Sequence, residues 1–226
     1  MAAGSARKLD SARKCTLFAA TMEHKPEMCV STELSFTAGE RTLRLCRHPF
    51  SDPGGQLDGA TQLLVEALSG GELPGTMLDI GSALGAAALT LNARGCRECD
   101  YLGASAVELA LVDANARVNG LKVHARAGLL PGFKGRYDLV CVNLAGLEAL
   151  GGRARGAAAR ILGAATDLLR PGGRLLAAAS RYENGPRLLG GLCSAPGSRL
   201  GELETFASSG GFTLSALRMA EADDRP

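Results

Sequence analysis

Between Met77 and Gly95 the chain reads MLDIGSALGAAALTLNARG, a short apolar run, a turn holding Gly81 and Gly85, and a second apolar run closed by Gly95. The first run has the length of a buried strand, Met77–Ile80, and the second that of a helix from about Leu84 to Ala93. A strand entering a helix through a tight glycine turn is half of a βαβ unit. It commits the chain to alternating strands and helices around a parallel sheet.

The rest of the sequence keeps that alternation. ELSFTAGERTLRLCRHPF reads as a hairpin with its turn at Thr37–Glu40. LDGATQLLVEALSGG carries apolar residues Leu57, Ala60, Leu63, Leu64, Ala67 and Leu68 on one helical face. After Gly95, CDYLGA is a strand and SAVELALVDANARVNG a helix, with Ser105 as N-cap and Asn119-Gly120 as the stop. LKVHARAG and YDLVCVN are strands, and an Ala-rich helix covers 154–169. LLRPGGRLLAAAS reads as a helix end, a Pro-Gly-Gly turn and a buried strand; GELETFASSGGFTLSALRMAEA reads as a helix, a turn and an edge strand. Residues 1–35 show little periodicity. The expected organisation is therefore an irregular extension over 1–40, an α/β domain over 41–220 and a polar tail over 221–226.

Composition narrows the function classes. Aromatics are 4% of the chain and Trp is absent, which disfavours a base-stacking surface for single-stranded nucleic acid. The formal net charge of +2 does not by itself imply a nucleic-acid partner. Residues 1–50 carry eight Lys and Arg against five Asp and Glu, a mild excess that reads as a solvated face. Seven cysteines, an odd number without secreted-module spacing, point to free thiols in a reducing compartment, cytoplasm or organellar matrix. Cys96 and Cys99 form a CxxC without a second ligand pair, so no metal site is expected. No apolar run reaches the roughly 20 residues of a membrane helix.

In a sheet of this kind, ligands sit beyond the carboxyl ends of the strands where the strand order reverses. Asp79-Ile80-Gly81-Ser82-Ala83-Leu84-Gly85 places an acid and two glycines there, at D-x-G-x-x-x-G spacing. The acid can orient a polar ligand group and the glycines let backbone approach it. The spacing is not G-x-G-x-x-G, which disfavours a dinucleotide.

Taken in order, HPFSDPGGQLDGATQLLVEAL, LDIGSALG, GASAVELALVDANARVNGL, GRYDLVCVNLAG and LLRPGGRLLAAASR resemble a class I S-adenosylmethionine-dependent methyltransferase over roughly residues 40–218. More narrowly, they resemble the ribosomal RNA guanine-N2 methyltransferases. Pro49-Phe50-Ser51, Leu57-Asp58-Gly59 and Leu63-Leu64 match the segment that precedes the cofactor motif in that family. VNLAG is also similar to a motif of ribosomal protein L11 methyltransferases. The resemblance implies a Rossmann-like α/β fold with a mostly parallel seven-stranded sheet and helices on both faces. It also implies S-adenosylmethionine held by Asp79, Gly81 and Gly85, and a target amino group oriented by Asn143.

Against the family pattern several determinants differ. Strand two of the family ends in an acid that accepts the ribose hydroxyls; the matching position, counted from Asn115 and Asn119-Gly120, is Gly103. Losing one hydrogen bond to a charged group, worth about 1.5–3 kcal/mol, predicts roughly tenfold to hundredfold weaker binding. Asp100 stands at the wrong end of the strand to replace it. The adenine-facing position is Ala127 or Gly128, and the Asn-Pro-Pro-aromatic loop becomes Asn143-Leu144-Ala145-Gly146. Ala83 stands where a middle glycine is common. These departures lead to the expectation of a methyltransferase-like protein with eroded motifs and weak or absent activity. Two alternatives stand beside it: an active methyltransferase acting on an amino group of RNA or of a ribosomal protein, and a non-catalytic subunit or assembly factor bound to protein subunits of a larger complex. Gly81, Gly85, Asp79 and Asn143 also have purely structural explanations as turn, cap and loop residues. Arg153, Arg155 and Arg160 could meet phosphate beside the sheet edge, or form a solvated helix face.

Overall fold

The computed structural model of the protein describes residues 6–12, 15–20, 32–47, 56–128, 137–147, 153–180, 184–196, 198–201 and 203–221. Two compact units divide at Val30 and Ser31. The first holds one antiparallel pair, β1 (Ala6–Ala12) and β2 (Cys15–Ala20), with a register shift between Lys8 and Asp10. The sequence expectation was an irregular extension here. ARKLDSA and CTLFAA carry no sustained polar–apolar alternation, so the pair left no periodic signal. Pro49-Phe50-Ser51, His24, His48 and residues 222–226 lie outside the described residues.

The second unit starts with the expected hairpin, β3 (Thr32–Ala38) and β4 (Arg41–Arg47), turning at Gly39. Its first strand reaches back into the stretch assigned to the extension. There follow α1 (Gly59–Leu68), β5 (Thr76–Ile80), a 3-10 turn at Ala83–Gly85, α2 (Ala86–Arg94), β6 (Glu98–Gly103) and α3 (Ala106–Val118). Beyond these come β7 (His124–Ala127), β8 (Tyr137–Asn143), α4 (Ala154–Thr166), β9 (Leu169–Ser180), α5 (Gly185–Cys193), β10 (Glu204–Ser209) and β11 (Phe212–Arg218).

Seven of these strands form one sheet in the order β10-β11-β9-β8-β5-β6-β7. The pairs from β9 to β7 are parallel, while β11 runs antiparallel to both β9 and β10. This is the mostly parallel seven-stranded α/β sheet that the family resemblance implies. Side chains alternate across it. Leu78, Leu102, Val140, Val142, Leu175 and Ala177 are buried in a cluster with Ala158 and Leu162 of α4 and Leu189 of α5. Met77, Tyr101, Cys141 and Leu176 on the alternate positions are buried as well, and α1 and α2 pack against β5, β6, β8 and β9. Each large aliphatic side chain so buried contributes about 1.5–3 kcal/mol relative to exposure, which is why the central strands read as mostly apolar runs.

Three assignments change. Glu204–Ser209 is not helical but forms the strand β10, because Gly210 and Gly211 both take positive φ, 58° and 85°, and close a two-residue hairpin. β10 thus becomes the edge strand, and β11, read as the edge, lies inside the sheet. Pro171-Gly172-Gly173 does not separate a helix end from a strand. β9 runs through it, with Leu169 opposite Tyr137 and Arg174 opposite Leu139, so the intervening residues bulge out beside Asp138. Finally, α5 begins with Pro186 in its first turn and had no assigned counterpart in the sequence reading.

Gly85 illustrates how tightly the turn and α3 are packed. Its φ is +76°, and a Cβ there would stand 2.9 Å from Cγ1 of Val112. Gly85→Ala is expected to cost about 2–4 kcal/mol, combining the left-handed penalty with overpacking. Urea denaturation measures this directly; an unchanged midpoint would mean that the turn relaxes freely.

Candidate functional site

The sheet order reverses between β5 and β8: β6 and β7 lie on one side of β5, β8 and β9 on the other. The carboxyl ends of these two central strands are Ile80 and Asn143, so the expected site residues Asp79, Gly81 and Asn143 meet at the switch point.

Asp79 is fully buried and its oxygens face inward. Oδ1 accepts from the amide of Ser82 at 3.2 Å; Oδ2 accepts from the Ser82 hydroxyl and from the amide of Ala88 at 3.0 Å. Burial is the main influence on its carboxyl, pushing the pKa up to about 6 against the lowering effect of these bonds. Asp79 therefore shapes the turn and caps the first turn of α2. The Ser82 hydroxyl in turn accepts from the amide of Ala87 at 3.2 Å.

Gly81 is exposed, with φ of +76°, and a Cβ on it would meet only the carbonyl oxygen of Asn143, at 3.3 Å. A ligand can therefore lie directly against this backbone. Leu84, two residues before α2, also has positive φ, 58°.

Asn143 is engaged through its whole amide. Nδ2 donates to Thr61 Oγ1 at 2.9 Å and lies 3.2 Å from Asp58 Oδ1, and Oδ1 accepts from the amide of Ala145 at 2.8 Å. Asp58 is the N-cap of α1, accepting from the Thr61 amide at 2.9 Å and the Thr61 hydroxyl at 2.6 Å. Thr61 Oγ1 also accepts from the amide of Ala83 at 3.0 Å. The start of α1 thus ties the end of β8 to the turn after β5. Gly59 beside it packs so closely on the Phe212 ring that a Cβ would stand 2.6 Å away, which accounts for the glycine of Leu57-Asp58-Gly59.

Gly103 ends β6 at the same edge. Its missing side chain is not replaced by empty space: a Cβ would stand 2.9 Å from Oε2 of Glu108. Glu108 accepts from the hydroxyl of Tyr101 and, at 3.2 Å, from the amide of Ala104. Burial first, then the nearby Asp79 charge and the bond to Glu108, push the Tyr101 hydroxyl upward, so it stays a donor. Its oxygen also lies 3.3 Å from the Ser82 carbonyl. The sequence reading missed Thr61, Tyr101 and Glu108. Only Glu108 left a local trace, the S-x-x-E spacing from Ser105.

Other singled-out residues lie apart from this cluster or at its margin. Ala127 ends β7 and Gly128 follows it, and neither has a polar side chain. Asp100 sits lower on β6, bonded by the Tyr137 hydroxyl at 2.7 Å and 3.4 Å from Nδ1 of the exposed His124. Cys96 and Cys99 are buried free thiols facing backbone carbonyls. Arg153, Arg155 and Arg160 are exposed along α4. Among the described residues, no helix is long and apolar enough to cross a membrane.

The chain matches a family model, the methyltransferase small domain, over residues 43–215. The chain belongs to this family. Among its relatives is the ribosomal RNA small subunit methyltransferase C of Chromohalobacter salexigens, 30% identical over 190 residues, which cover 81% of this chain and 55% of that protein. The chain spans about half the length of the curated relatives it matches. The fold is shared with the Thermus thermophilus 16S rRNA N2-guanosine methyltransferase, solved with AdoMet and guanosine, at a TM-score of 0.69 and 18% identity, covering 95% of this chain and 58% of that one. A methyltransferase from Pyrococcus furiosus superposes at a TM-score of 0.59 and 14% identity, over 79% of this chain and 89% of that one. The family is one of S-adenosylmethionine-dependent methyltransferases, and the sequence resemblance to the class is thereby borne out.

Proposed function

We propose that this chain is a cofactor-binding domain of the ribosomal RNA guanine-N2 methyltransferase type whose own methyl transfer is weak or absent. The observation that carries this is the state of Asn143. An asparagine amide offers two N–H donors and a carbonyl oxygen with two lone pairs. Here Asp58 and Thr61 take the donor side and the Ala145 amide takes one lone pair. One lone pair remains to meet a target amino group, and Leu144-Ala145-Gly146 adds no aromatic platform to hold a base. Orientation supplies much of the rate in a transfer of this kind, so a loosely held nucleophile reacts slowly.

The cofactor side fits better. Gly81 leaves its backbone open at the switch point, and Asp79 holds the turn through Ser82 and Ala88. Bound S-adenosylmethionine would supply a methyl group on a sulfonium sulfur, an electrophile that needs no protein nucleophile. The chain's own residues would bind and orient: Gly81 by backbone contact, Gly85 by permitting the turn, Asn143 by closing the edge of β8. The relatives' names support RNA as the substrate class.

Two measurements test the reading. Calorimetric titration with S-adenosylhomocysteine is expected to give saturable binding, and labelled S-adenosylmethionine with 16S rRNA is expected to give incorporation at background. Methylation that disappears in Asn143→Ala would overturn the loss of transfer and favour the active reading, which the placement of Asn143 beside Gly81 supports. Absence of binding to a folded protein would remove the cofactor site and leave a scaffold or assembly role.

A further inference from the structure

We propose that Glu108, on α3, supplies the carboxylate that the end of β6 lacks, and that it accepts the ribose hydroxyls of the adenosine part of the cofactor. This rests on the cofactor site proposed above.

In doubly wound nucleotide-binding sheets, the strand beside the first βα turn ends near the ribose, and an acidic group there accepts its hydroxyls. β6 is that strand, and its last residue is Gly103. Glu108 lies at the third position of α3, after the N-cap Ser105. A glutamate at that position ordinarily folds back onto the N-cap amide. This one reaches further. Its Oε2 accepts from the amide of Ala104, and its Oε1 accepts from the hydroxyl of Tyr101 within β6. The carboxylate is thereby drawn over Gly103, where an added Cβ would meet Oε2 at 2.9 Å and Cδ at 3.1 Å. A side chain at 103 and the carboxylate of Glu108 compete for one volume. The glycine is what lets a helix residue occupy the end of the strand.

The carboxylate is also fixed toward the turn that holds Gly81. Tyr101 is wholly buried, and its hydroxyl oxygen lies 3.3 Å from the carbonyl oxygen of Ser82. Two of the roughly four lone-pair positions of a carboxylate are taken by Tyr101 and Ala104. Glu108 is only half-buried, and no other described residue takes the remaining positions. A diol presenting two hydroxyl donors matches that remaining capacity.

The test uses the full chain and calorimetric titration with S-adenosylhomocysteine and with an analogue lacking the ribose hydroxyls. The unaltered protein is expected to bind the analogue about tenfold more weakly than S-adenosylhomocysteine, the size of one charge-assisted hydrogen bond. In Glu108→Gln, which keeps one of the two acceptor oxygens and is expected to stay folded with a melting temperature a few degrees lower, S-adenosylhomocysteine should bind about tenfold more weakly and the two ligands should bind nearly alike. Equal binding of both ligands by the unaltered protein, or undiminished binding by Glu108→Gln, would overturn the role of Glu108 while the cofactor site stands. No binding of S-adenosylhomocysteine by the unaltered, folded protein would instead sink the cofactor reading and this inference with it.

Discussion

Asn115→Ala is expected to lower the unfolding free energy by about 2–4 kcal/mol, because it orphans backbone groups in two separate elements. Asn115 is fully buried on α3. Its Oδ1 accepts from the amide of Cys46 on β4 at 2.6 Å, and its Nδ2 donates to the carbonyl of Leu84 at 3.3 Å. Leu84 takes a positive φ, which a side-chain-bearing residue adopts only when its surroundings hold it there. Asn119, one turn on, repeats the arrangement at the surface, exchanging bonds with the amide and carbonyl of Arg44 at 2.9 and 2.6 Å. The N-x-x-x-N spacing therefore extends the open edge of β4 as a strand would, with amides instead of a backbone. Alanine's better helix propensity returns only about 0.6 kcal/mol. Urea denaturation measures the loss. A change below about 1 kcal/mol would mean that water reaches both Cys46 and Leu84.

Comparing the unaltered protein with Asp79→Asn across pH should expose the buried carboxyl. Asp79 is pushed up to about 6 by burial, against ~3.9 in an unfolded chain. Between those values the folded state keeps a proton that the unfolded state has released. Stability from this group is thus complete below pH ~4 and is lost as pH rises through about 6, a total of about 3 kcal/mol. The hydrogen bonds that asparagine cannot make shift the comparison by a constant amount. The stability of the unaltered protein minus that of Asp79→Asn should therefore fall by about 2 kcal/mol from pH 4 to pH 7 in denaturation at each pH. A difference that stays flat or grows with pH would mean that the carboxyl is not enclosed by the turn.

The legible part of the fold was the part written in local periodicity. Strands Met77–Ile80 and Tyr137–Asn143 and the helix capped by Ser105 are visible because burial on both sheet faces demands mostly apolar runs, and because N-caps are chemically distinctive. β10 was misread since its residues have no strong preference of their own. The left-handed pair Gly210-Gly211 and the partner strand β11 impose its state. The path of β9 through Pro171-Gly172-Gly173 depends on register with β8, which no local pattern encodes.

The sequence by itself determined the α/β class, the position of the glycine turn and the convergence of Asp79, Gly81 and Asn143 at one edge. The class, the turn and the place of Asp79 and Gly81 follow from period, spacing and the rule that ligands sit at the switch point, whereas the family resemblance is what singles out Asn143. Only the tertiary structure decided what those side chains are free to do. Asn143 is held by Asp58 and Thr61, 85 and 82 residues earlier in the chain. The carboxylate beside Gly103 comes from a helix and is aimed by Tyr101. Hydrogen-bond capacity is local and can be read from a residue's name. Which partner uses it is set by packing between distant segments, and packing is a property of the folded chain.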